Sequence, residues 1–108
     1  MTVPQCKITV LKKEFYPDLA TEYCKDPNVG PCQVFETGQE IIIDRDSYFR
    51  MKMPERFCSE AWDCISKYVY AALQGGALME GWSKDEKVLI ACCNDGVRPV
   101  VFKLERID

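Results

Sequence analysis

Two apolar, β-rich runs, Val88 to Cys93 and Arg98 to Ile107, flank the segment Asn94-Asp95-Gly96. This arrangement constrains the fold most, because a short turn between two such runs brings them together as an antiparallel hairpin. A three-residue loop with Gly96 in the left-handed conformation predicts pairing of Cys92 with Arg98, Ile90 with Val100 and Val88 with Phe102. That register puts Val88, Ile90, Val100, Phe102 and Leu104 on one apolar face. Cys92 and Cys93 are adjacent on a strand, so they point to opposite faces of the sheet.

The remaining elements follow from periodicity and punctuation. Cys6 to Phe15 alternates and contains Ile8, Thr9 and Val10, which predicts a first strand. Pro17 opens a short helix over Asp18 to Cys24, with Leu19 and Tyr23 expected inward and Asp18 and Glu22 in solvent. Lys25 to Cys32 holds two prolines and a glycine and reads as loop. Val34-Phe35 and Glu40 to Ile43 read as two short strands around Thr37-Gly38, and Asp44 to Arg56 as irregular. The main helix is expected from Ser59, as N-cap, to the stop at Gly75-Gly76. Ala61, Ile65, Tyr68 and Ala72 form its apolar face, widened by Cys64, Val69 and Leu73. Together these elements predict one α+β domain over residues 1–108, a small, mostly antiparallel sheet with the C-terminal hairpin and one main helix packed across it.

The chain has seven cysteines and no histidine, which removes Ser-His-Asp and Cys-His catalysis and every imidazole metal site. Its net charge of −3, without a basic stripe, argues against nucleic acid as a partner. No apolar run is long enough to cross a bilayer, so no membrane association is expected. Met1 to Lys7 lacks a basic stretch followed by an apolar one, so a signal peptide is not expected and a cytoplasmic location is. Thiols stay reduced there, and an odd number cannot all pair within one chain. No Cys-x-x-Cys pair occurs, which favours separate cysteines over a zinc or iron–sulfur site.

Three segments carry a resemblance. They are Pro31-Cys32-Gln33-Val34-Phe35 with Gly38-Gln39, Phe57-Cys58-Ser59 with Ala61-Trp62-Asp63, and Ala91-Cys92-Cys93-Asn94-Asp95-Gly96-Val97-Arg98-Pro99-Val100-Val101-Phe102-Lys103 with Glu105-Arg106. They resemble a family of small single-domain proteins, without an assigned activity, found mainly in anaerobic bacteria and archaea. The resemblance implies a shared fold and shared positions at Cys32, Cys58, Cys92, Cys93, Asp95 and Arg98. Cys6, Cys24 and Cys64 lie outside it. Asn94 stands where the family more often has threonine.

The candidate functional thiols are therefore Cys32, Cys58, Cys92 and Cys93, each at the end of an element. Cys58 precedes a helix N-terminus, where free N–H groups favour a thiolate. Arg98, Asp95 and Trp62 are the candidate ligand-binding residues: Arg98 for its planar fork, Asp95 for its place in the turn, Trp62 for its aromatic surface. Each also has a plainer reading, as a salt bridge, a turn residue and a core side chain. Trp82, between Gly81 and Ser83, is a candidate exposed aromatic.

Three functions fit. The first is a ligand-binding or accessory module, as a homo-oligomer or beside a redox-protein partner, with a pocket of Arg98, Trp62 and cysteines. The second is a thiolate metal protein holding zinc or an iron–sulfur cluster through Cys32, Cys58 and Cys92 or Cys93. The third is an enzyme with Cys58 or Cys92 as nucleophile, assisted by Asp95 or Arg98.

Overall fold

The computed structural model describes residues 3–108. Strand β1 (Gln5–Lys13) is followed by helix α1 (Pro17–Tyr23), strand β2 (Glu40–Ile43) and helix α2 (Arg45–Phe49). Helix α3 (Ser59–Leu73) and strands β3 (Val88–Cys92) and β4 (Val100–Ile107) complete the chain. The strands form one antiparallel sheet in the order β2-β1-β4-β3. The α+β architecture expected from the sequence is the one observed.

Alternation builds the sheet. Cys6, Ile8 and Val10 of β1, Ile41 and Ile43 of β2, and Val100, Phe102 and Leu104 of β4 are all buried on one face. Ala61, Ile65, Val69, Ala72 and Leu73 of α3 close over that face, so helix and sheet share a single core. The opposite face carries charge: Lys7 lies 3.5 Å from Glu40 and 3.8 Å from Glu105, and Lys103 lies 3.2 Å from Glu105. Two arginines hold the C-terminal end of α3. Arg45 donates to the Leu73 carbonyl at 3.0 Å, and Arg106 donates to those of Gly75 and Gly76 at 2.6 and 2.9 Å. Arg45 satisfies a carbonyl that the helix end leaves without an intrahelical partner, and Arg106 pins the glycine turn that follows it.

The hairpin forms in a different register from the expected one. Cys92 pairs with Val101, Ala91 with Phe102, Ile90 with Lys103 and Leu89 with Leu104. The shift is odd, so it exchanges the faces of β3: Leu89 is buried and Ile90 is 51% exposed. The loop is longer because Asp95, not Gly96, organises it. Asp95 Oδ1 accepts hydrogen bonds from the N–H of Val97 at 2.9 Å and of Arg98 at 3.1 Å. Pro99 has no N–H to offer a ladder. Cys93 N donates to the Val100 carbonyl at 3.1 Å and closes the loop. Gly96 is not among the glycines with positive φ.

Other local readings also change. Val34-Phe35 is not a strand; Phe35 is buried by ring contacts at 4.9 Å to Phe57 and 5.2 Å to Phe102. Asp44 to Arg56 contains α2, capped by Asp44, whose carboxylate accepts from Ser47 N at 2.8 Å. Cys58, not Ser59, is the N-cap of α3. In α1 the inward residue is Ala20, whereas Leu19 and Tyr23 are exposed.

A bulge in β1 matters for the site. The pairing steps from Val10–Phe102 to Lys12–Val101 and Lys13–Val100, leaving Leu11 as the extra residue. Lys13 thereby stands opposite the buried Val100, and its ammonium donates to the Cys32 carbonyl at 2.9 Å.

Candidate functional site

Three segments remote in sequence meet where the N-terminus of α3 faces the end of the hairpin. Cys32, Cys58 and Cys93 line one cavity of about 320 Å³, together with Glu60, Asn94, Asp95 and Arg98. Its apolar wall is Val34, Phe35, Ala61 and Val100. A volume of this size matches the lower range of small-molecule sites.

Each thiol is held by its local structure. Cys32 sits just before the packed Phe35, and its Sγ accepts a hydrogen bond from Val34 N at 3.4 Å. Cys93 follows β3 on the core side, with its Sγ accepting from Val100 N at 3.3 Å. Cys58 is half-buried, and its carbonyl accepts from Trp62 N at 3.0 Å as the first turn of α3 begins. The polar rim is cross-linked. Asn94 donates to Glu60 at 2.8 Å, and the Arg98 Nε lies 3.7 Å from Asp95 Oδ2. An arginine and two carboxylates therefore border a wall of thiols and hydrocarbon.

Cys92 does not join them. It is exposed and opens, with Cys64, Tyr68 and Trp82, on a separate depression along β3. Burial pushes the Cys64 thiol up, and the nearby thiols of Cys92 and Cys93 and the carboxylates of Asp63 and Glu60 push the same way. Trp62 is likewise absent from the cavity. Its ring packs against Phe57 at 5.8 Å and Tyr48 at 5.7 Å, in a tilted aromatic group beside Met51 and Met53. The cavity thus brings Arg98 together with three of the cysteines and leaves Trp62 outside. Trp82 is 79% exposed, as an uncovered aromatic should be. Arg98 stands within the loop and does not face Cys92 across the ladder, because the register differs.

Among the described residues, no three Cys, Asp, Glu or His side chains are placed to hold a metal ion. No helix in them is long and apolar enough to cross a membrane. Glu60 at the cavity is not foreseen from the sequence, nor is the hold of Lys13 on the Cys32 carbonyl, which follows a β1 bulge that alternation along the strand does not reveal. Compared with protein-family models, curated proteins and solved structures, the chain matches none.

Proposed function

We propose that this chain is a small ligand-binding module of the cytoplasm, related to the anaerobe family it resembles, with its ligand in the Cys32–Cys58–Cys93–Arg98 cavity. One observation carries the reading: positions 32, 58 and 93, otherwise far apart, line a single cavity that Arg98 also borders. Thiols and hydrocarbon offer a soft, weakly hydrated wall, and Arg98 offers a planar donor to a negative group. The matching ligand is small, anionic at one end and thiol-seeking at the other. Native mass spectrometry of protein isolated without oxygen tests this. The expected spectrum shows a noncovalent mass that disappears on denaturation. The mass of the polypeptide alone contradicts the reading.

The same reading includes self-association. Strand β3 is an edge strand whose residues Val88–Cys92 carry no charge or proline. Natural edges usually carry such guards. Ile90 is 51% exposed and Trp82 79% exposed beside it, which supports pairing of β3 with its counterpart in a second copy.

A further inference from the structure

We infer that α2, the segment after it and the start of α3 form a docking face for a partner protein, a role beyond ligand binding in the cavity. The partner presents an acidic segment carrying one large apolar side chain. Met51 is the plainest sign. Helix α2 ends in a Schellman motif, in which Met51 N donates to the Tyr48 carbonyl at 3.2 Å and Lys52 N to that of Ser47 at 2.9 Å. The motif puts Met51 in the left-handed conformation, at φ 54°, where glycine is the usual residue and a side chain costs energy. Packing within the chain does not offset that cost, because Met51 is 80% exposed. A methionine held out at a glycine position serves a contact outside the chain.

The surface around Met51 is apolar. The ring of Phe49, 61% exposed, lies 5.3 Å from that of Tyr48 and 6.4 Å from that of the exposed Tyr70. Beside these rings Met51, Met53, Phe57 and Trp62 line a groove of about 140 Å³, which suits a single anchoring side chain. Aromatic residues, methionine and arginine are the types that interfaces favour. Charge completes the face. From Asp44 to Phe57 there are four basic and three acidic residues, in a chain of net charge −3. The three carboxylates are engaged within the chain: Asp44 by Ser47 N at 2.8 Å, Asp46 by Arg50 at 2.8 Å and Glu55 by Gln39 at 3.2 Å. Lys52 and Arg56 are exposed and form no salt bridge among the described residues. They alternate in sequence with the groove residues Met51, Met53 and Phe57, so acidic side chains on the partner complement them. A bilayer fits this face less well, since two unpaired cations fall short of the roughly four to eight that hold a protein to anionic lipid. Cys58 lines both the groove and the ligand cavity, so a docked segment lies against the cavity's wall.

Selection of random displayed peptides on the folded chain tests the inference, with affinities of the selected peptides then measured by fluorescence anisotropy. The selected peptides are expected to carry Asp or Glu around a Leu, Phe or Trp. Met51→Gly, and Lys52→Glu combined with Arg56→Glu, should each weaken their binding about tenfold or more. Met51→Gly should also unfold at an equal or higher urea concentration than wild type, which separates loss of docking from loss of fold. Undiminished affinity in either variant, a lower urea midpoint for Met51→Gly, or selected peptides without acidic residues overturns the inference. Binding to phosphatidylserine vesicles that Met51→Gly abolishes, with no acidic peptide selected, also overturns it and assigns the face to a membrane surface.

Discussion

Cys6 shows how strongly position decides what a thiol can do in this chain. It is fully buried on β1, and burial pushes its pKa up to about 12 against an ordinary value of about 9, despite a backbone hydrogen bond involving Glu105 that works the other way. The folded chain holds this proton more tightly than the unfolded one. Cys6 therefore favours folding below the ordinary thiol range, and that contribution fades as pH climbs from about 9 toward about 12. Urea denaturation of wild type and Cys6→Ala across this window should show a smaller alkaline loss of stability in the variant. Parallel curves would contradict it. Alkylation offers a second check at this scale: exposed Cys92 should react first and Cys6 only on unfolding. Early labelling of Cys6 would mean that β1 opens far more readily than its burial implies.

At the scale of elements, the loop between β3 and β4 is held by one carboxylate. Asp95→Ala removes the acceptor for Val97 N and Arg98 N, at a cost of about 1 kcal/mol in urea unfolding. An unchanged midpoint would show that Pro99 and the Cys93–Val100 pair suffice to shape the loop. Phe35 plays the corresponding part for the segment that presents Cys32. Phe35→Ala empties a fully packed position between Phe57 and Phe102 and should cost roughly 3–5 kcal/mol, whereas Phe35→Leu should cost much less. Equal losses would indicate that ring contacts, rather than filled volume, hold the segment.

These two residues also explain how much could be read in advance. The hairpin was visible in its apolar runs, but its register was not. Turn chemistry pointed to Gly96, whereas the Asp95 side chain and the missing N–H of Pro99 set the loop, and an odd shift then exchanged Ile90 for Leu89 in the core. Val34-Phe35 looked like a strand because both residues favour one, yet burial of Phe35 is supplied by two aromatic rings and not by a neighbouring strand. Helix α2 has a signal in Asp44 and Ser47, but its five residues are too few to show a helical period. The main helix was legible because its stripe is long and repeats with the helical period. Cys32, Cys58 and Cys93 could be named from their positions at element ends. Their convergence depends on the tertiary packing of α3 against the hairpin, and so does the separation of Cys92.

At the scale of the molecule, the chain is longer than its mass requires. Its Cα radius of gyration is 15.0 Å, where about 13 Å is usual for this length. Its accessible surface is 6903 Å², against about 6,100 Å² for a typical monomer of this mass. The extra surface accompanies a two-layer design, in which α3 covers one face of the sheet and the other stays open to solvent, where Lys7, Glu40, Lys103 and Glu105 stand beside the exposed Ile42 and Ile90. Self-association along β3 would reduce that surface. Analytical ultracentrifugation should find a dimer for wild type and a monomer for Ile90→Lys, which places a charge on the uncovered edge. A monomeric wild type would contradict pairing along that edge.

The account rests on three thiols, brought from three separate segments, sharing one cavity while a fourth faces elsewhere. Dibromobimane becomes fluorescent when it bridges two thiols, and peptide mapping locates the bridge. In the reduced, folded chain carrying Cys64→Ser and Cys92→Ser, the account predicts a fluorescent adduct joining two of Cys32, Cys58 and Cys93. Adducts confined to single thiols at these three positions would contradict it.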